Sequence, residues 1–236
     1  MSNRTLGNAL QVVHSALGML VATPALALSI SAANVSPVVV DASTDTRSVA
    51  ITAGDISGAI DSVQALTVTL DFIKCGGFGN SLGVPLPASC PSNDPAYARE
   101  ISFDLTNPGG ATVRLVTTDT YHPFGDGPTP GSRITVTFAD GAAEAVGFST
   151  PLFVSGTFRP VGSLADLLGM GAVGTWTLAI GDDSFDAPLG LARFSLDMTL
   201  PDRGASSIPE PCMAALLGVG LAGLGIGRRR TISELV

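Results

Sequence analysis

The sequence predicts an all-β protein, an antiparallel β-sandwich or jelly roll of about eight strands. Apolar and polar residues alternate with period two along the middle of the chain. Clusters of Gly, Pro, Asn and Asp divide these runs, and the length left between two targeting-like ends suits one core. A strand with one face on a core and one in water has to alternate in this way, because successive side chains point to opposite faces. Glycine and proline are frequent, 28 and 16 residues, yet hydrophobic residues make up 45% of the 236. That balance describes a turn-rich folded protein rather than a disordered one.

The strands follow in order. Residues 38–40 and 49–51 supply two short apolar runs. Leu66, Val68, Leu70 and Phe72 alternate with Thr67, Thr69 and Asp71, and Ile101, Phe103 and Leu105 with Ser102 and Asp104. Asn107-Pro108-Gly109-Gly110 then makes a turn into Val113 and Leu115. The pattern returns at Ile134, Val136 and Phe138, at Trp176, Leu178 and Ile180, and at Phe194, Leu196 and Met198. Ser163-Leu164-Ala165-Asp166 has the form of a capping box and is expected to open a single helical turn.

The two ends are different in kind. Residues 1–27 read as a secretory signal, with Arg4, a mostly apolar stretch over 9–22, and a small-residue cut site at Ala25-Leu26-Ala27. At the other end, Ile208-Pro209-Glu210-Pro211 precede an uncharged run over 212–227 and then Arg228-Arg229-Arg230. A helix of that run would be roughly 24 Å long, which flanking arginines and local thinning can fit to a bilayer. Gly218, Gly220, Gly223, Gly225 and Gly227 disfavour a helix in water, so a single transmembrane helix is expected. The three arginines hold its end in the cytoplasm and place everything before Pro209 outside. The domain between is 28–203, followed by a linker and sorting or anchor segment over 204–236.

Between 28 and 207 there are eight arginines and lysines against eighteen aspartates and glutamates, a net charge of −10. Such a surface repels polyanions, and nucleic acid is excluded as a partner class. Cys75 and Cys90 enclose a loop rich in Gly, Pro, Ser and Asn, and in an exported protein they are expected to pair. Cys212 is left over, either a small apolar residue of the tail or a processing site.

Catalytic chemistry is poorly provided for. After export the one histidine is His122, in a loop rich in proline and glycine, so a Ser/His/Asp system has a single candidate base. Gly147-Phe148-Ser149-Thr150-Pro151 lacks the second glycine of a nucleophile elbow, and no His/Cys cluster has zinc spacing. No cofactor is expected except a possible Ca²⁺. Asp182, Asp183 and Asp186 crowd the loop between the last two strands, where hard oxygen ligands for that ion could assemble. The plain alternative is that they serve as turn residues.

Two resemblances add to this reading. The order Ile208-Pro209-Glu210-Pro211, apolar run, Arg228-Arg229-Arg230 resembles the PEP-CTERM protein-sorting signal of Gram-negative bacteria; residues 231–236 extend past the arginines where such tails usually stop. That resemblance implies recognition of 208–211 by a membrane exosortase, transient anchoring in the inner membrane, and a destination in the envelope or extracellular matrix with exopolysaccharide. Gly156-Thr157-Phe158-Arg159-Pro160, Leu164 to Leu168, Gly174-Thr175-Trp176-Thr177-Leu178 and the run 190–198 resemble the convertase P domain, or homo B. It implies an eight-stranded jelly roll and an association with a serine protease. The chain lacks the family's His-Thr and Asp-Leu positions, having Lys74-Cys75 in that region, and Phe194 or a neighbour replaces its last-strand tryptophan. The expected function is a non-enzymatic structural or adhesive sandwich. The alternatives are an accessory domain acting in trans with a separate subtilase, and a Ca²⁺-dependent glycan-binding module.

Overall fold

A computed structural model describes residues 27–77, 82–91, 94, 96–121, 131–147, 154–185 and 187–203. The protein is all-β, two sheets face to face. In chain order the strands are β1 (Ala27–Asn34), β2 (Val38–Val40), β3 (Ser43–Ile51), β4 (Ala65–Lys74), β5 (Ile101–Thr106), β6 (Thr112–Val116), β7 (Ile134–Phe138), β8 (Gly156–Phe158), β9 (Gly174–Asp182) and β10 (Leu189–Pro201). One sheet runs β1-β10-β4-β7-β8, with β2 pairing the start of β10. The other runs β3-β9-β5-β6.

The alternation seen in the sequence becomes the core. Leu66, Val68, Leu70 and Phe72 of β4 join Trp176, Leu178 and Ile180 of β9 and Ile101, Phe103 and Leu105 of β5 in one buried cluster. The rings of Phe72 and Phe103 meet across it, centroids 5.2 Å apart. Trp176 is fully buried and donates its indole N–H to the Ala172 carbonyl at 2.9 Å, so its one polar atom is satisfied. The wet faces carry hydroxyl pairs across strands, Thr69 with Thr137 at 3.0 Å and Thr106 with Thr112 at 2.8 Å.

The structure departs from expectation in three places. Among the described residues ten strands form rather than about eight. β1 begins at Ala27, where the signal was expected to end, and β8 pairs with β7 in parallel, so the sheets are not wholly antiparallel. The turn over Leu164–Leu167 forms as a 3₁₀ helix, but Asp166 does not close a box. Ser163 Oγ accepts from Ala165 N at 3.2 Å, while Asp140 reaches in from elsewhere to accept from Leu164 N at 2.9 Å and Ala165 N at 2.7 Å.

Cys75 and Cys90 are bonded, as expected, with their Cα atoms 5.4 Å apart. The enclosed segment lies on the outer face of the larger sheet, where Leu82 and Leu86 cover Ile73 and Cys75 as a second small core. Gly131 is required beside it, since a Cβ there would collide with the Lys74 carbonyl.

Closing a loop of this size contributes about 3 kcal/mol by restricting the unfolded chain. The double variant C75A/C90A is expected to lose roughly that amount in urea denaturation, and the wild-type protein to lose it under reducing conditions. Equal unfolding midpoints with and without reductant would contradict the assigned role of the bridge.

Candidate functional site

Alternation does not stop at the last apolar residue of β4 or β9. The inward row Leu66, Val68, Leu70, Phe72 continues in phase to Lys74, and the inward row Trp176, Leu178, Ile180 continues to Asp182. Both charged side chains therefore point between the sheets at one end of the sandwich. Glu100 arrives there from the 3₁₀ turn Ala98–Glu100 that leads into β5. Lys74 is the only lysine of the chain, and its side chain is fully buried. Such burial requires the charge to be paired.

Three acceptors surround the ammonium. Lys74 Nζ donates to Asp182 Oδ2 at 2.7 Å, to Glu100 Oε2 at 3.0 Å, and to the Ala187 carbonyl. Its three N–H groups are thus matched one to one. Asp182 is less well served: among the described residues its buried Oδ1 has no hydrogen-bond partner. Burial pushes the Asp182 carboxyl up to about 6, the nearby Lys74 ammonium and a backbone hydrogen bond from Ser184 oppose that rise, and the Glu100 carboxylate adds to it. Backbone contacts hold the frame, with Asp183 N donating to the Glu100 carbonyl at 3.1 Å and Cys75 N to the Pro188 carbonyl at 3.0 Å.

The cluster is dry. Leu189 stands opposite Lys74 in the β4–β10 register, Ile101 opposite Asp182 in the β5–β9 register, and both are fully buried.

Of the three aspartates considered as calcium ligands, Asp182 is turned inward and engaged by Lys74. Asp183 starts the following loop, and Asp186 lies outside the described residues. Among the described residues no three His, Cys, Asp or Glu side chains are grouped to hold a metal. Pro209, Glu210, Pro211, Arg228, Arg229 and Arg230 lie outside the described residues, as do His122, Ser149 and the apolar run over 212–227. Among the described residues no helix is long and apolar enough to cross a membrane.

A second feature lies on the outer face of the larger sheet. Ser29, Ser31, Thr67, Asp197 and Thr199 line a shallow groove of about 250 Å³ between β1, β10 and β4, and Ser31 Oγ donates to Asp197. Ile30, Ala65, Leu66 and Met198 also line it, so its wall mixes hydroxyls and one carboxylate with a larger apolar surface. No protein-family model matches the chain, and no curated protein matches it.

Replacing Lys74 by Met should strand two buried carboxyls and cost roughly 3–5 kcal/mol at pH 7.5. The deficit depends on pH in a definite direction. Asp182 has a folded pKa above its ordinary 3.8, and loss of Lys74 removes an influence that lowers it. Its contribution to stability is therefore present at low pH and lost as pH rises through the folded value. Urea denaturation of K74M should show a smaller deficit at pH 5.5 than at pH 7.5; a deficit independent of pH would contradict the assignment.

Proposed function

We propose that this chain is an exported, non-enzymatic β-sandwich protein of the cell envelope or extracellular matrix. In this reading a membrane exosortase acts at residues 208–211, and the apolar run with Arg228, Arg229 and Arg230 anchors the precursor in the inner membrane. The observation that carries the reading is the Cys75–Cys90 disulfide, a cross-link of the kind that persists in oxidising compartments and is rare in the cytosol. It sits in the segment that covers an apolar patch of the sheet, where it serves packing rather than redox chemistry.

The surface fits a structural or adhesive role. The outer groove offers hydroxyls and a carboxylate, groups suited to the hydroxyls of a hydrated polysaccharide, and the acidic balance favours an extended, soluble surface. We further read the sandwich as a divergent P-domain-like jelly roll. Phe158, Leu164, Leu167, Trp176 and Phe194, which fall in the stretches carrying that resemblance, are all core residues. That likeness leaves an accessory role beside a separate serine protease as the second reading.

Deleting residues 208–236 should move the protein from the membrane fraction into the periplasmic or secreted fraction, with the disulfide still formed. Unchanged fractionation would remove the sorting role of the tail. Retention of the purified domain on matrix polysaccharide supports the adhesive reading, and co-purification with a subtilase in place of that retention supports the second.

A further inference from the structure

We propose that Lys74 and Asp182 condense into an intramolecular amide, Nζ bonded to Cγ, with Glu100 carrying the proton, so that the two sheets are joined covalently at one end. The proposal begins from placement. The single lysine of the chain is sealed between the sheets with Nζ 2.7 Å from a buried aspartate oxygen and 3.0 Å from a second carboxyl. Two groups held in contact react as though at an effective concentration of about 10⁵–10⁸ M. Amine and acid are brought together by folding alone, since they lie 108 residues apart in the chain.

Burial lowers the cost of reaching the neutral reactants. An ammonium and a carboxylate away from water lose most of their solvation, and moving one proton from Lys74 to Asp182 gives a neutral amine and a neutral acid. Asp182 Oδ1 is buried without a hydrogen-bond partner among the described residues, and burial penalises the ionised carboxylate against the stabilisation that Lys74 and the Ser184 backbone give it. The product is uncharged, and its remaining N–H has the Ala187 carbonyl as an acceptor.

The step balances without oxidant or reductant. After the proton moves from Lys74 to Asp182, the Nζ lone pair attacks Cγ and a C–N bond forms. Nζ then gives a proton to the Glu100 carboxylate, which returns it to a hydroxyl on Cγ. The C–O bond breaks, one water leaves, and Glu100 is restored to its starting state. Glu100 is placed for this because its Oε2 already accepts from the same nitrogen. With Leu189 and Ile101 closing the site, water for the reverse reaction is kept out.

The test is mass spectrometry of the full chain purified after export, with the disulfide reduced and the mature ends read from the same sample. The expected result is a chain one water lighter than its sequence. Tryptic digestion should give residues 48–99, uncut at Lys74, joined to residues 134–193. K74M should have the full sequence mass. E100Q, which keeps the shape of the side chain, should fold by circular dichroism yet remain at full mass. A folded wild-type chain at full mass with free cleavage at Lys74 overturns the bond, as does a water loss that persists in K74M. Bond formation in folded E100Q overturns the role given to Glu100.

Discussion

The structure turns on a single buried ammonium. A sandwich made only of aliphatic and aromatic contacts tolerates small slips of one sheet over the other, because dispersion and burial are not directional. Lys74 removes that freedom at one end. Its three N–H groups need acceptors, and these come from β9, from the turn before β5 and from the loop before β10. A shift of either sheet would leave an unpaired charge away from water, at a cost well above that of a looser apolar contact. The groups near it follow from the same requirement. The Glu100 carbonyl accepts from Asp183 N, the Cys75 amide is satisfied by Pro188, and the disulfide begins at the residue after the lysine.

Much of the fold was legible because period two survives in six separate runs, and each became part of a strand. β1 was hidden by context. Leu28, Ile30 and Ala32 alternate with serines and alanine, but they follow directly on an apolar segment read as a signal. β8 is three residues long and pairs in parallel, so it leaves almost no periodic trace. Asp140 could not be read as a helix cap, because it lies 24 residues before the amide it serves.

The charged cluster was half legible. Lys74 and Asp182 continue the inward rows of β4 and β9, and extending the alternation by one step past Phe72 and Ile180 would have placed both inside. Asp182 was read instead with its neighbours in sequence as part of an exposed acidic loop. Proximity along the chain competed with strand phase, and phase decided the outcome. Glu100 left no such signal, since the 3₁₀ turn that delivers it breaks the alternation leading into β5.

The two ends of the sandwich are built differently, and the topology says at which end the chain enters and leaves it. Ala27 pairs with Pro201 and Ala65 with Thr199, so the chain enters and leaves the larger sheet at the end opposite Lys74, which pairs with Leu189. That near end is held by hydrogen bonds to backbone N–H groups without a buried ion pair among the described residues, with the Asp61 carboxylate accepting from Val173 N at 3.1 Å and Val63 N donating to the Met170 carbonyl at 2.9 Å. The far end carries the ion cluster, the disulfide and the loop with Phe185, which is 75% exposed. The buried ion cluster and the disulfide therefore brace the end of the sandwich opposite Ala27 and Pro201, where Lys74 and Asp182 tie one sheet to the other.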